Sequence, residues 1–119
     1  MKAWNVAEME LERNHPRVLG SEEEGRVIVL RLPKGETMQE HQVHERAWMI
    51  VAAGAIEIDD SDGETVGGGP GLLAEFDPNE RRRIRATEDS RLVLVLSPWP
   101  GEGHPSKREA QGSSAEQHP

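Results

Sequence analysis

The sequence predicts an all-β protein, a sandwich or barrel of short strands, and three observations support this prediction. Residues 55–59 and 81–87 alternate apolar and polar side chains with a period of two, as half-buried strands do. Asp62-Gly63 is a dipeptide that favours a tight hairpin turn. Short strand-like segments recur at close spacing with turn signals between them, which is typical of sandwiches and barrels.

Three apolar runs complete the predicted strands. Residues 26–32 form a β-branched run that stops at a Pro-Lys-Gly turn, and residues 47–53 form a second run that stops at Gly54. Residues 91–97 are apolar on both faces, which predicts a central strand covered on both sides. The glycine-rich segment 67–71 is predicted to be a loop.

One alternative remains open for residues 36–53. Most of these residues are good helix formers, and the apolar positions between 43 and 54 also fall at helical spacing. A strand–helix–strand unit would fit that pattern.

Length and composition limit the possible functions. The 119 residues are enough for one domain, predicted over residues 1–100, and the polar segment 101–119 is predicted to be a disordered tail. A net charge of −8 argues against nucleic-acid binding, and the absence of cysteine excludes disulfides and thiolate chemistry. No apolar run is long enough for a membrane span or a signal peptide, so we expect a cytoplasmic protein.

The segment between Gly35 and Gly54 contains the best candidates for ligand-binding or metal-binding residues. Two histidines, His41 and His44, lie three residues apart beside carboxylates. Gly35, His41 and Gly54 have the spacing of the first motif of the cupin family, which is Gly, five residues, His-x-His, three or four residues, Glu, six residues, Gly. The glycine run before Leu72 and the turn around Pro78 look like a degenerate second motif.

On these residues the chain resembles the cupin family over about residues 24–98. The resemblance implies a jelly-roll barrel, the double-stranded β-helix, and a metal site with four usual ligand positions. Of these four positions only the first, at His41, has a ligand residue. The family's second histidine position falls on Val43, and its glutamate position falls on Ala47. The histidine of the second motif falls on Arg83 by strict counting and on Arg82 by alternation. We choose Arg82, which shares a face with residues that a barrel would turn inward.

Two interpretations of the histidines remain open. On a regular strand His41 and His44 point to opposite faces, so a bulge would be needed to bring them together. With Glu40 or Glu45 they would then offer two imidazoles and a carboxylate to a divalent metal such as Fe, Mn, Ni or Zn. In the other interpretation His41 lies in the barrel mouth with a hydrogen bond, His44 is solvated and no cofactor binds, since the charge of Arg82 opposes a cation.

Arg82 and Trp48 are the other candidate site residues. An inward Arg82 offers a bidentate fork to a carboxylate or phosphate, or it pairs with Glu45 or Glu75, or its head reaches solvent. Trp48 and Met49 alternate, so one of them faces inward, and Trp48 could form a wall of the pocket. The sequence therefore predicts a small cavity lined by His41, Arg82 and Trp48.

Two functions from different classes fit this cavity. The first is a binding or sensing protein that holds a small anionic metabolite without metal, and the second is a metal-dependent isomerase or dioxygenase that uses His41 and His44. A barrel kept only for assembly is a third possibility. Because residues 26–32 and 91–97 are apolar on both faces and a barrel covers only the inner one, we expect a homodimer.

Overall fold

The chain folds into two antiparallel sheets. The computed structural model describes the backbone of residues 1–41 and 44–97, and the side chains of these residues except 39–41. The predicted tail 101–119 lies outside the described residues. Within them the elements are a 3-10 helix at Val6–Glu8 and the strands β1 Arg17–Glu22, β2 Gly25–Leu32, β3 Thr37–His41, β4 Arg46–Ala53, β5 Ile56–Asp60, β6 Thr65–Gly68, β7 Leu73–Phe76, β8 Arg82–Ala86 and β9 Ser90–Ser97.

The strand order confirms the predicted all-β architecture. One sheet has five strands in the order β1-β2-β9-β4-β7, and the other has four in the order β3-β8-β5-β6. β9 lies between β2 and β4, so it is the central strand that its two apolar faces predicted. The helical alternative for residues 36–53 is wrong, since β3 and β4 occupy that region. No helix among the described residues is long and apolar enough to cross a membrane.

The core lies between the two sheets, and strand alternation explains which residues fill it. In β8 the residues are alternately buried and exposed, and β9 buries every second side chain. The inner faces of both sheets pack together as one apolar cluster. Its largest members are Leu30, Leu32, Met49, Ile56, Ile84 and Leu92.

The glycines of the first motif have a backbone role. Gly35 and Gly54 have φ of +86° and +88°, a region that residues with a side chain rarely adopt. A Cβ on Gly54 would also lie 2.4 Å from the backbone oxygen of Asp89, so the chain passes too closely there for any other residue. The glycine-rich segment is only partly the predicted loop, because Gly67 and Gly68 pair with β5 as part of β6.

The amino-terminal segment covers part of the outer face of the five-stranded sheet, which the sequence did not predict. The Nη1 of Arg91 donates hydrogen bonds to the carbonyls of Val6 (2.9 Å) and Met9 (2.5 Å). The amide of Asn14 donates to the carbonyl of Arg31 (2.7 Å). Val29, which points outward from β2, is fully buried as a result.

Part of the remaining outer face is apolar and accessible. Ile50 and Val95 are each 39% exposed, and Leu73 is 61% exposed. Ile50 lies directly opposite Leu73 in the sheet, and the two form a continuous surface with Val95 of the neighbouring strand. We call Ile50, Leu73 and Val95 the outer apolar patch. The homodimer predicted from residues 26–32 and 91–97 stays a prediction.

Candidate functional site

Arg82 is a charged side chain placed inside the barrel. It begins β8, where its backbone lies opposite Asp60 of β5 and opposite His41 of β3. Its side chain is only 2% exposed, whereas the neighbouring Arg83 is exposed. The alternation of β8 therefore identifies the inward residue correctly as Arg82, whereas strict motif counting points to the exposed Arg83.

The guanidinium of Arg82 has no hydrogen-bond acceptor among the described residues. Nε, Nη1 and Nη2 are all buried and unpaired there. The carboxylates predicted as its partners are engaged elsewhere: Glu45 pairs with Arg26 at 2.5 Å, and Glu75 pairs with Arg46 at 2.7 Å. The interpretation of Arg82 as one half of a buried ion pair with Glu45 or Glu75 is therefore wrong.

Two carboxylates close to Arg82 in the fold, those of Asp60 and Glu80, also accept hydrogen bonds from the backbone. Oδ1 of Asp60 accepts hydrogen bonds from the amides of Asp62 (2.8 Å) and Glu64 (3.0 Å), which hold the hairpin turn. Oε1 of Glu80 accepts from the amide of Asp77 (3.0 Å). Each carboxylate thus stabilises a local turn, and neither accepts a hydrogen bond from the guanidinium.

Burial changes the electrostatics of Arg82. Desolvation lowers its pKa, and the charge of Glu80 opposes that shift by raising the pKa. An arginine stays protonated in proteins at neutral pH, so a positive charge sits in the barrel. The ring of Phe76 lies 4.7 Å from the guanidinium carbon, and this cation–π contact partly stabilises the charge.

A cavity of about 240 Å³ opens beside Arg82, between the inner faces of the two sheets. Its lining is apolar except for two arginines, Arg82 and Arg26. The lining residues are Pro16, Arg26, Ile28, Leu30, Met38, Arg82, Leu94 and Leu96. Arg26 was not among the predicted site residues, although the alternation of β2 places it on the same face as Ile28 and Leu30.

A second cavity of about 240 Å³ has the opposite charge. Phe76 lines it, and so do the carboxylate residues Asp60, Glu64, Glu75 and Glu80. Arg82 does not line it. An anion would be repelled there and attracted beside Arg82, so the two cavities are chemically distinct.

The structure settles less about the predicted histidines. The backbone of His41 belongs to β3, and one extra residue lies in β3 between Met38 and His41 relative to β8. This bulge lies before His41, and residues 42 and 43 lie outside the described residues. The side chain of His41 lies outside the described part of the structure, and so does Val43, whereas His44 is exposed.

Trp48 does not have its predicted position. In β4 the neighbours Ala47 and Met49 are fully buried and face the barrel interior, while Trp48 is half-buried on the opposite face of the sheet. Trp48 is not among the residues that line the cavity beside Arg82. The inward member of the Trp48–Met49 pair is Met49, because Ala47, Met49 and Val51 alternate with outward residues.

The described residues do not fit a metal site. No cluster of three or more histidines, cysteines, aspartates or glutamates occurs within residues 1–41 and 44–97 as far as their side chains are described. Ala47, at the family's glutamate position, has no donor atom and is fully buried. Arg82, at the family's second-motif histidine, brings a positive charge that opposes a cation.

The barrel and its inner cavity place this chain in the class of antiparallel double-stranded β-helix proteins. The family model described as the cupin domain matches residues 28–98, which is more than half of the chain. The chain therefore belongs to the cupin family. No curated protein gives a significant match.

Solved bacterial structures agree with this fold. An RmlC-like cupin protein from Desulfovibrio desulfuricans superposes with a TM-score of 0.74 at 16% identity, over 82% of this chain and 97% of that one. An uncharacterised protein with a double-stranded β-helix domain from Klebsiella pneumoniae superposes with a TM-score of 0.71 at 19% identity, over 82% and 90%. At such identities the similarity establishes the fold alone.

Proposed function

We propose that this cupin is a binding or sensing protein that holds a small anionic metabolite beside Arg82 without a metal ion. One observation supports this most directly: a buried guanidinium whose three nitrogens have no acceptor among the described residues faces a cavity of about 240 Å³. A buried charge without a partner is costly, on the order of several kcal/mol. An anion in the cavity would offset that cost, since a carboxylate or phosphate accepts two parallel N–H bonds from one arginine.

The alternative function is a metal-dependent isomerase or dioxygenase that uses His41 and His44. The residue types argue against it, because Ala47 provides no ligand and Arg82 replaces a neutral imidazole with a cation. In addition, His44 is exposed. We therefore propose the metal-free binding function as the principal one.

Thermal denaturation with added anions tests the proposal. Short carboxylates and phosphate should raise the melting temperature, by an amount equivalent to about 2.7 kcal/mol when the anion is at a hundred times its Kd. Arg82→Ala should abolish this shift. Arg83→Ala is the matched control, because it removes the same charge from the same strand at an exposed position. An equal anion shift in wild type and Arg82→Ala would overturn the proposal.

Metal analysis separates the two functions. Protein purified without added metal should contain much less than one equivalent of Fe, Mn, Ni or Zn. Arg82→His removes the cation and restores an imidazole, so it should raise the affinity for manganese or iron if His41 and His44 can converge. Full metal occupancy in the unmodified protein would refute the metal-free proposal and favour the enzyme.

A further inference from the structure

The cavity beside Arg82 contains two arginines, but only one of them is uncompensated. Arg26 forms an ion pair with Glu45 at 2.5 Å, in which the Arg26 side chain is 40% exposed and the Glu45 side chain 20% exposed. Arg82 has no such partner among the described residues. The net charge that the two arginines and Glu45 present to a ligand is therefore a single positive charge, which suits a monoanion better than a dianion.

The walls of the cavity offer little else for polar recognition. Besides the two arginines, its lining residues are proline, isoleucine, leucine and methionine. None of the described lining residues carries a hydroxyl, amide or carboxylate group. The hydroxyl groups of a sugar would lose their hydration there without replacement hydrogen bonds, so the lining disfavours carbohydrates.

The N–H groups of Arg82 are available to an anionic group. The guanidinium carbon lies over the ring of Phe76, 4.7 Å from the ring centroid. The N–H groups lie in the plane of the guanidinium, and its three nitrogens have no acceptor among the described residues, so its edges can bind an anion. A planar carboxylate matches such an edge with two parallel hydrogen bonds.

The volume limits the size of the ligand. An apolar protein cavity of about 150 Å³ accommodates benzene, with six non-hydrogen atoms. By proportion, the cavity of about 240 Å³ accommodates about ten such atoms. From charge, lining and volume together, we infer that the ligand of this site is an aliphatic monocarboxylate of up to about eight carbons, an inference that rests on the proposed anion-binding function.

A homologous series of carboxylates tests this inference on the full-length protein. Titration calorimetry with acetate, butanoate, hexanoate and octanoate should show Kd falling about fourfold for each added methylene, and levelling off beyond octanoate, when the cavity is full. Hexan-1-ol has the same chain without the charge and should bind far more weakly. At about pH 8 both phosphate and succinate are mainly dianions. They should then bind more weakly than hexanoate, because each brings two charges into a site with one uncompensated cation.

Two variants locate the effect in this cavity. Arg82→Met should abolish hexanoate binding, which excludes adsorption to the outer apolar patch. Glu45→Gln should release Arg26 as a second cation, so that succinate gains affinity by about tenfold relative to hexanoate. Ile28→Phe narrows the wall at a half-buried position and should end the chain-length trend at a shorter acid.

The outcomes distinguish the inference from the function on which it rests. If no anion binds, or if binding does not depend on Arg82, the proposed function fails. If anions bind through Arg82 but phosphate or succinate equals hexanoate and chain length has no effect, the function stands and the monocarboxylate inference is overturned. An unchanged preference for hexanoate over succinate in Glu45→Gln would also contradict the charge argument.

Discussion

The two ends of the barrel differ in how completely they are packed and hydrogen-bonded. At the end formed by Gly54, Ser90 and Leu32, the inner side chains are fully buried and the one polar side chain, Ser90, is satisfied. At the other end, Arg82 is almost as deeply buried, yet it has no acceptor among the described residues and borders a cavity. We call these the closed end and the cavity end.

A family motif combines a backbone role with a ligand-binding role, and in this protein the two roles lie at different ends of the barrel. Gly35 and Gly54 belong to the closed end, where both have positive φ and Gly54 also meets a close backbone approach. Ala47 and Arg82, which stand at two of the ligand positions that the family motif implies, provide no donor atom for a metal ion. The spacing of the motif thus follows from backbone geometry, and a chain can keep it without keeping the chemistry.

The largest expected effect is at the closed end, from Gly54→Ala. The added Cβ would meet the backbone oxygen of Asp89 at 2.4 Å, and the residue would be strained at a φ of +88°. Steric overlap and strain together should lower the free energy of unfolding by about 4 kcal/mol. Urea denaturation measures this change.

Gly35→Ala is the matched control for that prediction. Its φ is +86°, but a Cβ there would have no atom within 4 Å. Only the conformational cost should remain, about 1 kcal/mol. Equal losses in the two variants would show that φ, and not the close approach at Gly54, determines the need for glycine.

Ser90→Ala tests the hydrogen bonding of the closed end. Oγ of Ser90 accepts from the amide of Ala55 at 3.0 Å and lies 2.7 Å from the carbonyl of Glu88, to which it can donate. Its removal leaves the half-buried Ala55 amide without that acceptor, which should cost about 1 kcal/mol. Ser21→Ala, at an exposed position of β1, should change stability by less than about 0.5 kcal/mol. A similar small change for Ser90→Ala would mean that the closed end tolerates an unpaired amide.

Arg82→Met should have the opposite sign, since the cavity end carries a charge that folding does not compensate. Burial lowers the pKa of Arg82, which indicates that the charged form is disfavoured inside the barrel. A methionine of similar length removes that cost, although it also loses the contact with Phe76. We expect the ligand-free protein to gain about 1 kcal/mol in its free energy of unfolding. A loss of stability in phosphate-free, carboxylate-free buffer would show that Arg82 has a partner at that end.

The parts of this comparison that sequence could predict depend on local alternation. β8 alternates charged and apolar residues, so the inward position of Arg82 follows from the pattern alone. In β4, by contrast, Trp48 and Met49 are both large and apolar, so alternation could not identify the inward residue. The inward position of Arg26 in β2 could in principle be predicted in the same way. However, β2 is apolar on both faces, so its sequence does not show which face is inward.

Long-range pairing could not be predicted in this way. Which carboxylates pair with which arginines depends on the register between distant strands, and Glu45 and Glu75 were equally plausible partners for Arg82. In the structure Glu45 pairs with Arg26, and Glu75 pairs with Arg46. The covering of the outer face by residues 6–14 was also missed, because that segment has no periodic pattern to indicate a strand or helix.

The smallest effect on stability is expected at the outer apolar patch, which belongs to neither end. Leu73 is 61% exposed, so Leu73→Lys should change the free energy of unfolding by less than about 0.5 kcal/mol. If the predicted homodimer forms through this patch, a lysine opposite Ile50 places like charges across a two-fold interface, and sedimentation velocity should show dissociation to monomers. Thr65→Lys, at an exposed position in the other sheet, adds the same charge and should leave the dimer intact.

The anion-induced thermal shift should survive in both variants, because both ends of the barrel lie within one subunit. A wild-type chain that sediments as a monomer at high micromolar concentration would contradict the dimer, and a shift lost together with the dimer would show that the cavity end depends on the partner.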